Sequence, residues 1–97
     1  MIRHTVLFKW KPEATDDEKE QVATELAKLP SVVPSLRAFA CGHDAGLAPG
    51  NFDFAVTADF DDEAGFYVYR NDPVHREIVE RRILPITAQR ASVQFQF

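Results

Sequence analysis

The stretch Met1-Ile2-Arg3-His4-Thr5-Val6-Leu7-Phe8-Lys9-Trp10 places an apolar side chain at nearly every second position. This period of two is typical of a β-strand with one face against a core. The pattern therefore predicts an opening strand that holds a histidine in a row of core residues. That row consists of Ile2, His4, Val6, Phe8 and Trp10.

Three further stretches of the chain predict strands. The segment from Phe52 to Phe60 alternates most clearly, with Phe54 and Val56 on its core face. Leu36 to Gly42 and Ala91 to Phe97 complete a set of four. The segment from Gly42 to Asn51 contains three glycines and a proline, which indicates a surface loop.

Two helices are predicted between these strands. The first begins at the capping box that starts with Thr15 and ends at Pro30. The second begins at Asp61-Asp62, breaks at Asp72-Pro73 and resumes to about Leu84, because aspartate favours the N-cap and proline the first helical position. The order βαββαβ predicts an α+β, ferredoxin-like fold in which helices cover one face of a four-stranded antiparallel sheet.

The face of the sheet that the helices leave free is expected to be apolar. A small domain rarely leaves such a face in water, and a two-fold pairing of chains would bury it. We therefore predict a homodimer through the sheet face. The residues assigned to this face are Thr5, Leu7, Phe39, Cys41, Ala55 and Thr57.

Composition predicts one small domain, residues 1–97, with 45% hydrophobic residues. The formal net charge of −4 argues against nucleic acid as a partner, since counterion release needs clustered basic residues. The cluster of Arg76, Arg81 and Arg82 is interrupted by glutamates, which predicts an ion-paired, solvated helix face.

No apolar run approaches the roughly 18 residues of a membrane span. A lone Cys41 without a signal-like N-terminal segment favours the cytoplasm.

The segment Tyr69-Arg70-Asn71-Asp72-Pro73-Val74-His75 is the strongest candidate for a functional site. His75 falls in the first turn of the resumed helix and shares an inward-facing stripe with Ile78. In one unbroken helix, Tyr69 and His75 would point about 240° apart around the axis. The break at Asp72-Pro73 is what allows the two side chains to meet.

Together these features resemble the stress-responsive dimeric A/B barrel (Dabb) domain family over essentially the whole chain. The resemblance implies a dimer whose two sheets form a central barrel, with a pocket between sheet and helices in each subunit. It rests on Ile2 to Lys9, on Leu29-Pro30 followed by Val33-Pro34, on Phe52-Asp53, and on the spacing of Tyr69, Pro73 and His75.

The family includes a plant polyketide cyclase in which a histidine and a tyrosine carry out an intramolecular aldol condensation. The resemblance implies that His75 and Tyr69 occupy those catalytic positions, but it does not transfer the identity of the substrate. The ligand expected for such a pocket is a small apolar or aromatic molecule. It implies neither a cofactor nor a metal. The pocket wall expected to bind the substrate consists of His4, Val6, Phe8, Leu26, Phe54, Val56 and Ile78.

The residue types themselves also suit proton transfer at the carbon next to a carbonyl. Removing a proton α to a carbonyl needs a base that titrates near neutrality, and histidine has an ordinary pKa of about 6.5. His75 would be that base. Tyr69 would orient the imidazole ring or donate a hydrogen bond to the developing enolate oxygen.

Other functions remain open at the level of sequence. The same pocket could bind a ligand without catalysis, or be filled by side chains in a structural protein that acts through oligomerisation. A haem- or quinol-type monooxygenase is disfavoured because no partner residues for His75 are recognised. His4 taken alone is typical of a buried histidine bonded to a carbonyl. Cys41, His43 and Asp44 could ligate a metal but lack a second cluster.

Overall fold

The computed structural model describes all 97 residues, Met1 to Phe97. Its strands are β1 (Ile2–Trp10), β2 (Ala38–His43), β3 (Phe54–Phe60) and β4 (Thr87–Gln96). They form one antiparallel sheet in the order β2-β3-β1-β4. The helices are α1 (Asp16–Leu26), α2 (Glu63–Asn71) and α3 (Pro73–Ile78), with a π-helical turn over Val79–Ile83 and 3-10 turns over Leu29–Ser31 and Leu84–Ile86. The predicted ferredoxin-like α+β fold is confirmed.

The core lies between the helices and one face of the two central strands. Strand β1 pairs with β3 so that Val6 lies opposite Val56 and Phe8 opposite Phe54. Cross-strand neighbours of this kind share a face, and all four side chains are buried. His4 stands in the same row and is only 7% exposed, which confirms the predicted position of this histidine. None of the helices has the length and hydrophobicity that crossing a membrane requires.

The predicted composition of the opposite, outer sheet face is wrong for strand β2. Phe39 lies opposite Ala58 and Cys41 opposite Val56, so both side chains point towards the helices and pack against the core. The short β2 has no strong alternation, and only its pairing with β3 fixes which residues face inwards. The outer face is nevertheless apolar. Its exposed large side chains are Leu7, Val93, Phe95 and Phe97.

A charged pair is set into this outer face. The Arg3 side chain donates two hydrogen bonds to Asp59 on the neighbouring strand, Nε to Oδ1 at 2.7 Å and Nη2 to Oδ2 at 2.8 Å. These bonds hold the pKa of Asp59 below its usual value. The Arg3 guanidinium also lies 4.5 Å from the centre of the Phe97 ring. The two charges therefore satisfy each other within a face that also exposes large apolar side chains.

The helix face predicted to be ion-paired is largely so. Arg76 pairs with Glu80 at 3.8 Å and Arg81 with Glu77 at 3.1 Å, both one helical turn apart. Arg82 instead donates to the side-chain oxygen of Gln21 on α1, at 2.6 Å. The basic cluster is thus solvated and internally paired, as its interleaved glutamates predict.

Candidate functional site

A cavity of about 570 Å³ opens between the sheet and the second helical segment. Residues of β1, β3 and β4 form its floor, and Leu26 at the end of α1 also lines it. Its opposite wall comes from α2, α3 and the turns that follow. Seven of the residues predicted for the site line it: His4, Val6, Phe8, Leu26, Val56, Tyr69 and His75.

Two predicted wall residues, Phe54 and Ile78, do not line the cavity. Phe54 packs against the rings of Trp10 and His43, at 5.7 and 5.2 Å between centroids, towards the other end of the core. Ile78 is 5% exposed and belongs to the core cluster. Phe54 lies on the core face of β3 and Ile78 on the inward face of α3, as their spacing predicts. The cavity, however, occupies only part of the space between the sheet and the helices.

The break between α2 and α3 brings Tyr69 and His75 together. Asp72 leaves the helical conformation with ψ of 130°, and its side chain accepts a hydrogen bond from the backbone nitrogen of His75 at 3.0 Å. Pro73 is the first residue of the new helix. As a result, the rings of Tyr69 and His75 stack with centroids 4.1 Å apart and planes 30° apart. The predicted consequence of the break is confirmed.

The His75 ring sits in a poorly hydrated place. Burial lowers its pKa below the ordinary value, although the nearby backbone carbonyls of Arg70 and Tyr69 favour the charged ring. Neither carbonyl reaches hydrogen-bond geometry, so the buried Nδ1 has no partner. The imidazole is therefore neutral at pH 7. Because Nδ1 is buried, a ligand in the cavity meets the Nε2 side of the ring, and Nε2 accepts a proton when the neutral ring carries its own proton on Nδ1.

His4 forms the polar part of the cavity floor. Its Nδ1 lies 2.9 Å from the side-chain amide of Gln94 on β4, and its ring contacts Phe66 at 5.3 Å between centroids. Burial lowers the pKa of His4 to about 4, and the charges of His75 and Arg90 act in the same direction. With the amide as donor, the neutral ring carries its own proton on Nε2. The partner of this histidine is thus a side chain rather than the expected backbone carbonyl.

Tyr69 remains a hydrogen-bond donor over the whole physiological range. It is 2% exposed, and burial together with the neighbouring Cys41 raises the pKa of its hydroxyl. A neutral phenol beside a neutral imidazole can donate to an oxygen on which negative charge develops. The pair therefore combines a base with a donor in one wall of the cavity.

Sequence reasoning missed several lining residues. Gln94 and Arg90 reach the cavity because β4 pairs with β1 so that they lie opposite His4 and Phe8. The alternation of the last strand separates Gln94 from Val93, but only the register with β1 assigns the polar row to the inner face. Phe66 on α2 also lines the cavity, where its ring contacts His4.

The possible metal ligands do not assemble. His43 lies 3.4 Å from Glu20 on α1, while Asp44 accepts hydrogen bonds from Gly46 and Asn51 within its own loop. Cys41 is half-buried against the core, and burial raises the pKa of its thiol. No cluster of three or more histidine, cysteine or acidic side chains in the chain could hold a metal ion.

We expect Asp72→Ala to lower the free energy of unfolding by about 1 kcal/mol, because it removes the side-chain cap of α3. A matched control is Asp62→Ala, which removes the equivalent cap of α2, a 2.9 Å bond from the Gly65 nitrogen. Urea unfolding should give similar losses for both. Only Asp72→Ala should shift the NMR signals of the His75 ring, and equal shifts in both variants would contradict the role assigned to the break.

We also expect the protein to lose stability as the pH falls from about 6.5 to 4. The folded pKa of His4, about 4, lies below its ordinary value of 6.5, so protonation favours the unfolded chain. The contribution of the neutral His4 ring to the free energy of unfolding is complete above pH 6.5 and is lost as the pH falls towards 4. Because the ring borders an open cavity, we expect a loss of about 2 kcal/mol. His4→Gln should flatten this slope in urea titrations and the surface variant His43→Gln should not.

Comparisons with known proteins agree with this fold. The family model of the stress-responsive A/B barrel domain matches residues 2–97. A dimeric ferredoxin-like protein of unknown function from Thermobifida fusca YX is 49% identical, with a TM-score of 0.92 over 99% of this chain and 90% of that one. No curated protein matches the chain significantly.

More distant solved structures share the fold alone. A dimeric protein of unknown function from Bacteroides fragilis NCTC 9343 is 24% identical, with a TM-score of 0.84 over 99% of this chain and 95% of that one. A hydroxynitrile lyase from Passiflora edulis is 18% identical, with a TM-score of 0.83 over 97% and 90% of the two chains. Through the family model and the Thermobifida relative, the chain belongs to the stress-responsive A/B barrel (Dabb) domain family.

Proposed function

We propose that this protein is a homodimeric, cofactor-independent enzyme of the cyclase or isomerase type that acts on a small aromatic or apolar carbonyl compound. His75 is the base and Tyr69 the hydrogen-bond donor. The observation that carries the proposal is their stacked arrangement at 4.1 Å in the wall of an open cavity. A neutral imidazole whose Nδ1 is buried presents Nε2 to the cavity, and that nitrogen is suited to accept a proton from a ligand.

The proposed step needs no oxidant, metal or co-reactant. His75 Nε2 takes a proton from the carbon next to a carbonyl, and the C–H electron pair forms an enolate. The Tyr69 hydroxyl donates to the oxygen on which the charge develops. The enolate carbon then attacks a second carbonyl of the same molecule, or is protonated again at another position, and His75 returns the proton.

The rest of the cavity suits an apolar substrate. Phe8 and Val56 of the floor and Leu26 at the end of α1 supply a water-excluding lining, which strengthens the hydrogen bond to an enolate oxygen. The motif resemblance to olivetolic acid cyclase, which places a histidine and a tyrosine at the positions of His75 and Tyr69, supports the same assignment. A protein with this fold is a hydroxynitrile lyase, so lyase chemistry is compatible with the architecture.

The dimer is proposed to form through the outer sheet face. Two similar solved proteins are dimeric ferredoxin-like proteins. The face presents Leu7, Val93 and Phe95 at 36%, 55% and 44% exposure in the single chain. Pairing these faces by a two-fold axis would bury an apolar surface and close the two sheets into a barrel.

The experiment that tests the enzyme proposal follows deuterium uptake by phenylacetone in D2O, using NMR between pH 5 and 9. This ketone carries an aromatic ring and acidic protons next to its carbonyl. We expect exchange above the buffer rate, with activity retained somewhat below pH 6.5 because the pKa of His75 is lowered. Tyr69→Phe keeps the ring stack and should slow the exchange without a large loss of stability.

Binding of the ketone without any exchange would overturn the enzyme proposal and favour a non-catalytic binding module. That second function is supported by the cavity itself, which is open at about 570 Å³. The same observation disfavours a purely structural protein whose pocket is filled by side chains.

A further inference from the structure

We propose that the cavity selects ligands bearing a carboxylate, which binds Arg90 at the rim while the apolar body of the ligand lies towards Phe8 and Val56. This inference deepens the proposed function, because it rests on the same cavity, but it concerns recognition and not the proton transfer. It names a substrate class: small aromatic or apolar carboxylic acids.

The first support is a local reversal of charge. The chain as a whole carries 15 acidic and 11 basic residues, for a net charge of −4. The cavity is lined by three arginines, Arg70, Arg76 and Arg90, and by one acidic residue, Glu80. A cleft with a positive rim in an acidic protein concentrates anions over neutral or cationic molecules.

The second support is that two of these arginines lack a protein partner. Four of the seven arginines in the chain pair with a carboxylate: Arg3, Arg37, Arg76 and Arg81. A fifth, Arg82, donates to Gln21. Arg70 and Arg90 belong to no ion pair in the chain, and both line the cavity. The arginines without a partner are thus those that a ligand could reach.

The third support is the direction of Arg90. It lies opposite Phe8 on the neighbouring strand, four residues before Gln94, and so belongs to the inner row of β4. The positive charge of Arg90 also contributes to lowering the pKa of His4, so the field of Arg90 reaches a residue that lines the cavity. A guanidinium has a planar fork of donors that matches a carboxylate with two hydrogen bonds.

The test measures binding of 3-phenylpropanoate and of its methyl ester by calorimetry at low salt. We expect the acid to bind at least about tenfold more tightly than the ester, since only the acid offers the Arg90 guanidinium a charged partner for two hydrogen bonds. In Arg90→Gln the preference should fall to less than about threefold, and in wild type it should weaken at high salt. Arg81→Gln, an ion-paired surface arginine outside the cavity lining, should keep the full preference.

Equal binding of acid and ester, binding of neither, or an undiminished preference in Arg90→Gln would overturn the proposal. Phenyl phosphate is measured in the same way. If it binds much more tightly than 3-phenylpropanoate, the cavity selects a phosphorylated ligand and the carboxylate proposal is wrong. His75→Gln separates this inference from the enzyme proposal. If the enzyme proposal alone is wrong, wild type catalyses no deuterium exchange of phenylacetone, but wild type and His75→Gln both still bind the acid more tightly than the ester.

Discussion

Replacing His75 by glutamine is expected to reduce enzyme-dependent deuterium exchange of phenylacetone by about 10²- to 10⁴-fold. The substitution keeps a polar side chain of similar size but removes the only group that we assign as the base. Burial already disfavours the charged imidazole, so the ring is neutral and ready to accept a proton at pH 7. The exchange rate measured by NMR at saturating ketone reports the loss directly.

His43→Gln is the matched control for this experiment. His43 lies on β2 with a side chain that is 43% exposed, outside the cavity lining, so its loss should leave the exchange rate unchanged. An unchanged rate in a folded His75→Gln protein would contradict the proposed mechanism. A fall in both variants would point to a general effect of losing a histidine and would also count against it.

Val93→Lys is expected to convert the proposed dimer into a monomer at micromolar concentration. Val93 is 55% exposed on the outer sheet face, and a lysine there would bring an unpaired charge into an apolar interface. Leaving a charge buried without a partner costs about 3 kcal/mol or more, which weakens association at least about 100-fold. Size-exclusion chromatography with light scattering gives the mass of the species in solution.

The control for the dimer is Val68→Lys. Val68 is similarly exposed, at 49%, but it lies on α2, on the opposite side of the sheet from the proposed interface. We expect this variant to remain dimeric. If Val68→Lys were monomeric and Val93→Lys remained a dimer, the interface would lie on the helices, which would contradict the sheet-face proposal.

The parts of the fold that sequence predicts are those with strong local signals. The alternation of β1 identifies its core row, including His4, because a period of two leaves only one assignment of faces. Asp72-Pro73 predicts the split of the second helix, since aspartate caps a helix and proline begins one. From that break follows the meeting of Tyr69 and His75, which is the central feature of the candidate site.

The parts that sequence does not predict depend on pairing between distant segments. The side on which Phe39 and Cys41 lie is set by the register of β2 against β3, and the short strand carries too little alternation to reveal it. The contact of Gln94 with His4 likewise requires the register of β4 against β1. The core rows of β1 and β3 were predicted correctly, yet only the three-dimensional packing separates the cavity wall from the filled core around Phe54.

The central claim is that a neutral His75 lines a cavity that binds a small molecule beside it. The most direct measurement is an NMR titration of the His75 ring signals, first in the free protein and then with phenylacetone. We predict a pKa below 6.5 in the free protein and a clear shift of the ring signals when the ketone binds. A pKa at or above 6.5, or ring signals that ignore a bound ketone, would contradict the account.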